Sequence, residues 1–171
     1  MRRLAFPVCV ALGALALIPA AEPSSELVPS IVTLDGVGEV RPGLTVTQVE
    51  QRFGIDLHPA GFGAGCARAP FRSGIVRGHA TFVRGRLGSL WFDRGVLAGR
   101  GIGIGATLTR LQRAYRRLEI RRDPDLPGVR NVYVRRTRAP HWRLRFDVSP
   151  ENRVTRIAFG DLTVLLPDGC P

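Results

Sequence analysis

His141-Trp142-Arg143-Leu144-Arg145-Phe146-Asp147-Val148 is the stretch on which the fold turns. Trp142, Leu144, Phe146 and Val148 alternate with Arg143, Arg145 and Asp147. A period of two is the signature of a β-strand with one apolar face and one polar face. Ser149-Pro150-Glu151-Asn152 reads as a turn, and residues 153–160 as the returning strand. Upstream, residues 129–136 form a further strand-like run. Earlier in the chain, residues 75–84 and 87–93 repeat the theme, with Gly85-Arg86 between them as a two-residue turn with glycine first. Residues 162–166 read as a last short strand before Asp168-Gly169-Cys170. Trp91 and Phe92 are adjacent, so they point to opposite faces. Either one is core and the other lies at an interface, or both are covered by the two sides of a sandwich.

Two helices precede these strands. Val40-Arg41-Pro42-Gly43-Leu44-Thr45-Val46-Thr47-Gln48-Val49-Glu50-Gln51-Arg52-Phe53 aligns with residues 102–115 at a constant offset of 62. Gly43 matches Gly105, Thr45 and Thr47 match Thr107 and Thr109, and Val46, Val49 and Phe53 match Leu108, Leu111 and Tyr115. Each copy is a glycine turn, a threonine N-cap and apolar residues on one helical face. Thr45 and Gln48 make a capping box. Arg110 stands where the second copy needs the glutamine, leaving only the threonine cap. The expected fold class is therefore α+β, with two tandem helix-plus-antiparallel-sheet repeats and the helices on one face of the sheet. The repeats are assigned to residues 32–98 and 99–171.

The segments GVGEVRPGLTVTQVEQRFG and GIGIGATLTRLQRAYRRL, with the hairpins HATFVRGRLGSLWF and WRLRFDVSPENRVTRIAF, resemble the repeat of small secreted bacterial proteins with the β-lactamase-inhibitor-protein fold. They are also similar to the single-repeat outer-membrane assembly lipoproteins of the SmpA/OmlA type. The likeness covers residues 32–171. It implies two repeats sharing a concave sheet surface that grips a partner protein. The inhibitors close a disulfide within each repeat, whereas a Cys66–Cys170 bond links the two.

Residues 1–21 read as an export signal: Arg2 and Arg3, then 18 residues (4–21) with no charged or polar side chain. Cleavage after Ala20 or Ala21 is expected in preference to a retained membrane anchor. Residues 22–31 form a tether punctuated by Pro23 and Pro29. The expected location is secreted or extracytoplasmic. There two remaining cysteines, Cys66 and Cys170, most simply form one disulfide, the alternative being two buried thiols.

All 25 basic residues are arginine, against 14 acids, for a formal charge of +11; loss of Arg2 and Arg3 lowers it to +9. The absence of lysine reads as high-GC codon usage, which moves much of this excess from function to composition. What stands out is local. Arg110, Arg113, Arg116 and Arg117 share the outer side of the second helix, and Arg135, Arg143 and Arg145 line the following hairpin. Such a stripe attracts anions. Arg135, Arg143, Arg145 and Trp91 are the expected anchors for an envelope or extracellular protein on the sheet face, with Arg110, Arg113 and Arg117 beside them. Electrostatic adhesion to an anionic cell-surface polymer or to lipid headgroups is the alternative. No cofactor is expected. His58, His79 and His141 are too scattered for metal ligation. The glycine run of residues 99–106 lacks the strand and the acid of a dinucleotide site. No serine sits in a nucleophile elbow, and no nucleic-acid-binding motif accompanies the arginines. A non-catalytic binding module is the resulting expectation.

Overall fold

The computed structural model describes residues 31–63, 65–135 and 141–170. The expected export signal lies outside the described residues, as does residue 136 at the end of one expected strand. In chain order the strands are β1 (Ile31–Thr33), β2 (Gly36–Val37), β3 (Ala60–Gly63), β4 (Cys66–Ser73), β5 (Val76–Val83), β6 (Arg86–Arg94), β7 (Leu97–Ala98), β8 (Ile102–Gly103), β9 (Glu119–Arg122), β10 (Arg130–Arg135), β11 (Arg143–Val148) and β12 (Val154–Gly160). The helices are α1 (Val46–Phe53) and α2 (Leu108–Ala114).

Eight strands form one antiparallel sheet in the order β3-β4-β5-β6-β12-β11-β10-β9. The two hairpin groups join where β6 meets β12, with Trp91 opposite Ala158 and Leu90 opposite Phe159. A small second sheet runs β2-β1-β7-β8, with β1 and β7 parallel. This corrects the expected α+β arrangement of two tandem helix-plus-sheet repeats with helices on one face. The protein is mostly β, with two short helices against one continuous eight-stranded sheet. The reason is one of size. Eight- and seven-residue helices are about 12 and 10 Å long, whereas eight strands at about 4.8 Å spacing extend about 34 Å. Two such helices cannot cover that sheet. Val32, Val37, Val40, Ala98 and Ile102 of the small sheet and its connections complete the cover.

The helix starts follow the threonine reading. Thr45 accepts the Gln48 N–H (3.3 Å), and Gln48 Oε1 accepts the Thr45 N–H (3.0 Å). Thr107 accepts the Arg110 N–H (3.2 Å). The segment before each helix also pairs with the large sheet, Gly43 N–H and Leu44 C=O with Leu87, Gly105 N–H and Ala106 C=O with Val154. Val49 and Phe53 of α1 and Leu108 and Leu111 of α2 thereby meet Leu90, Phe92, Leu144, Phe146, Ile157 and Phe159 in one apolar core.

Two local expectations are also corrected. The β5–β6 turn is Arg84-Gly85, not Gly85-Arg86. Both residues have positive φ (51° and 73°), which matches the twist of the hairpin. Residues 162–166 are not a strand. Leu162–Leu165 and Pro167–Gly169 are 3-10 turns that fold back across the sheet. Residues 66–73, to which periodicity assigned no element, form the eight-residue strand Cys66–Ser73 despite Pro70. β3 ends opposite Arg68, so Pro70 lies where β4 is the sheet edge and no ladder partner is lost.

Candidate functional site

One sheet face packs on the main core; the other carries a polar layer. Trp91 is fully buried there, with the His79 ring stacked on it (centroids 5.7 Å apart, planes 6° apart). The guanidinium carbons of Arg145 and Arg156 each lie 4.8 Å from the indole centroid. Asp147 accepts from Arg145 Nε (2.6 Å) on one oxygen and from Arg156 Nε (2.8 Å) on the other. Arg145 Nη2 donates to Asn131 Oδ1 (2.9 Å) and lies 3.5 Å from Asp123. Two cations thus face two carboxylates, and the cluster is neutral. Burial acts to raise the Asp123 pKa. Hydrogen bonds from the Asp125 and Leu126 backbone and from Asn131, with the Arg145 charge, outweigh it and hold the carboxyl below its ordinary value.

Residues 161–170 cross this layer as a strap. Arg145 Nη1 donates to Val164 O (3.1 Å) and Leu166 O (3.2 Å). Val164 packs on Trp91 and Ala158. Gly88 sits at a register shift in β6, and a Cβ there would lie 2.7 Å from Thr163 Oγ1, so glycine makes room for the strap. A disulfide ties Cys170 at the strap's end to Cys66 on β4, 104 residues away, with Cα atoms 5.9 Å apart. That bond suits an oxidising compartment and marks an extracytoplasmic protein. Among the described residues no helix is long and apolar enough to cross a membrane.

The strap changes the meaning of several expected anchors. Arg145 is 2% exposed and Trp91 is 0% exposed, so neither is offered to a partner. The alternation of residues 141–148 set Arg145 opposite the apolar face, and that second face is covered here. Arg143 is half-buried, with Nη1 shielded from solvent. Trp91 and Phe92 are both covered, one by the strap and one by the main core.

The arginines of α2 and its surroundings are open. Arg110, Arg113, Arg116, Arg117 and Arg135 are all exposed. Arg110 Nη2 reaches back to Gly101 O (3.1 Å). Arg117 and Arg135 come together in a cleft of about 430 Å³, with Arg100, Arg116, Tyr115 and Val134 completing its lining. Arg100 donates to Ala114 O (2.7 Å) and lies 5.6 Å from the Tyr115 ring centroid. Tyr115 OH donates to Gly99 O. Burial pushes its phenol pKa up, against the opposing charge of Arg100. Glu119 pairs with both Arg135 and Arg121. Among the described residues, no carboxylate pairs with Arg116 or Arg117. Arg100 was missed as a candidate because it comes from the glycine run, fourteen residues before the backbone carbonyl that holds it. The run itself makes a 3-10 turn, with Gly101 (φ 69°) and Gly105 (φ 85°), and leads to the Thr107 cap.

No family model and no curated protein matches this chain. Among solved structures, the chain is similar to a cysteine-rich secretory protein from Staphylococcus aureus subsp. aureus Mu50, at 10% sequence identity and a TM-score of 0.49. The likeness covers 72% of this chain and 45% of that chain.

Proposed function

We propose that the protein is a non-catalytic binding module acting outside the cytoplasm, with the arginine cleft beside α2 receiving the anionic groups of a cell-surface polymer. In this reading the export signal is cleaved after Ala20 or Ala21. The observation that carries it is the convergence of Arg100, Arg116, Arg117 and Arg135 around Tyr115 in one open cleft. Four guanidinium groups offer forked donors suited to phosphate or carboxylate oxygens. Glu119 offsets one of the four charges through Arg135. The phenol stays protonated at neutral pH and adds no negative charge. Recognition of a partner protein through Trp91 and Arg145 loses its support, since both side chains lie under the strap.

The test is binding of polyphosphate, as a model polyanion, over a range of sodium chloride concentrations. Affinity should fall steeply as salt rises, because counterion release and screening govern contacts between exposed charges. Arg116→Glu with Arg117→Glu should weaken binding about tenfold or more. Salt-insensitive binding, or binding unchanged in the double reversal, refutes the reading.

A further inference from the structure

A second surface combines exposed arginines with exposed apolar side chains. Arg72 is the register partner of Arg77 across β4 and β5, and Arg77 of Arg94 across β5 and β6. Register partners project to the same face of a sheet, at about 5 Å per strand. The three exposed arginines therefore form a ladder. Like charges directly opposite one another destabilise a sheet. Among the described residues no carboxylate pairs with any of the three. The ladder holds unneutralised charge at one place on the surface.

Exposed apolar groups stand beside it. Ile75 occupies the two-residue Gly74-Ile75 turn between β4 and β5 and is 67% exposed. Folding does not ask for an isoleucine there; a polar residue would make the same turn without presenting its surface to water. Ile31 and Leu97, 57% and 47% exposed, are register partners in the small sheet. The Leu97 side chain lies over Gly103, where a Cβ would fall 2.9 Å from its Cδ2. Leu97, Gly103, Ile104, Val96 and Ile75 line an apolar groove of about 470 Å³, with Asp93 at its margin. A depression of about 470 Å³ on the other side of Ile75 is lined by Arg72, Arg77 and Arg94. The two share Ile75, Arg94 and Gly95, so the surface is continuous.

We propose that this surface docks on an anionic phospholipid bilayer. Ile75 enters the boundary between headgroups and acyl chains, Leu97 and Ile104 lie beside it, and Arg72, Arg77 and Arg94 meet headgroup phosphates. Charge complementarity selects this occupant: the ladder needs anions next to an apolar phase, which is what an anionic leaflet offers. A second copy of the chain would bring a second arginine ladder, and the two would repel. This docking is independent of the α2 cleft, since it uses none of that cleft's residues.

The experiment uses the full chain carrying Ile75→Trp and lipid vesicles containing brominated acyl chains. One set is phosphatidylcholine alone and the other includes phosphatidylserine. In the phosphatidylserine vesicles the added indole should be quenched beyond the parent protein's own fluorescence change. A leader held in the bilayer acts equally on both chains and does not produce this difference. Each arginine near an anionic leaflet multiplies partitioning about fivefold. Arg72→Glu, Arg77→Glu and Arg94→Glu together should therefore cut the phosphatidylserine-dependent part about 100-fold or more. Ile75→Glu, read by cosedimentation with the same vesicles, should lose the parent protein's phosphatidylserine-dependent binding, which keeps the test decisive if the triple variant does not fold. No quenching beyond the parent overturns the proposal. So does equal quenching in both vesicle sets, or a dimer in solution that Ile75→Glu dissolves.

Discussion

Arg145→Met offers the sharpest test of how the sheet's second face is held. The methionine keeps an apolar stem of similar reach and removes the guanidinium. Lost with it are the bonds to Asp147 (2.6 Å), Asn131 (2.9 Å), Val164 O (3.1 Å) and Leu166 O (3.2 Å), together with the contact to Trp91. Removing one partner of a buried ion pair costs about 3–5 kcal/mol, because the other charge is left in a poor environment. Here Asp147 retains Arg156 Nε at 2.8 Å. Asp123 retains its bonds from Asp125, Leu126 and Asn131. These place the cost at the lower end, about 3 kcal/mol. For a domain of this size that lowers the Tm by roughly 10 °C. The assay is urea unfolding with the disulfide intact, comparing midpoints at unchanged m-value. Arg135→Met, at an exposed position, should shift stability by no more than about 0.5 kcal/mol. If Arg145→Met costs under about 1 kcal/mol and so matches Arg135→Met, the buried network does not hold the strap and the account fails.

Other outcomes follow from the same geometry. Replacing Cys66 and Cys170 with alanine should cost about 3–5 kcal/mol in thermal unfolding, since the bond closes a loop of about 100 residues. Combined with Arg145→Met, it should deviate from additivity, because both changes release the same strap; simple addition within about 0.5 kcal/mol argues against that coupling. Gly169→Ala should cost more than Gly74→Ala. A Cβ at Gly169 meets Ser89 Oγ at 2.7 Å and Thr81 Oγ1 at 2.8 Å, whereas nothing lies within 4 Å at Gly74, and both have positive φ. Equal Tm shifts for the two would contradict the close packing of the strap. In acid, Asp123 has a folded pKa below its unfolded one, so its contribution is present above the unfolded value. That contribution is lost as pH falls below about 4. Asp123→Asn should flatten stability against pH in that range, and an unchanged acid limb would remove Asp123 from the account.

What the sequence by itself determined is local. The alternation of residues 141–148 set a strand and divided its side chains between two faces. Thr45 and Thr107 placed both helix starts, because an N-cap is a contact over three residues. The extracytoplasmic compartment was legible from the pairing expected of Cys66 and Cys170. Periodicity, however, reports which face a side chain is on and says nothing of what lies over that face. Arg145 reads as an exposed cation from its neighbours. It becomes buried because residues 161–170, of which 162–166 look like a strand, return across the sheet and present two carbonyls to it. The two candidate surfaces also depend on distant pairing. Arg100 joins Arg117 and Arg135 only after α2 has packed. Arg72, Arg77 and Arg94 become one ladder only when three strands settle into register, and a shift of one residue would send a side chain to the other face. The +11 charge was written in the chain; which arginines face solvent together was decided by the tertiary structure, since exposure and convergence are properties of contacts between segments far apart in sequence.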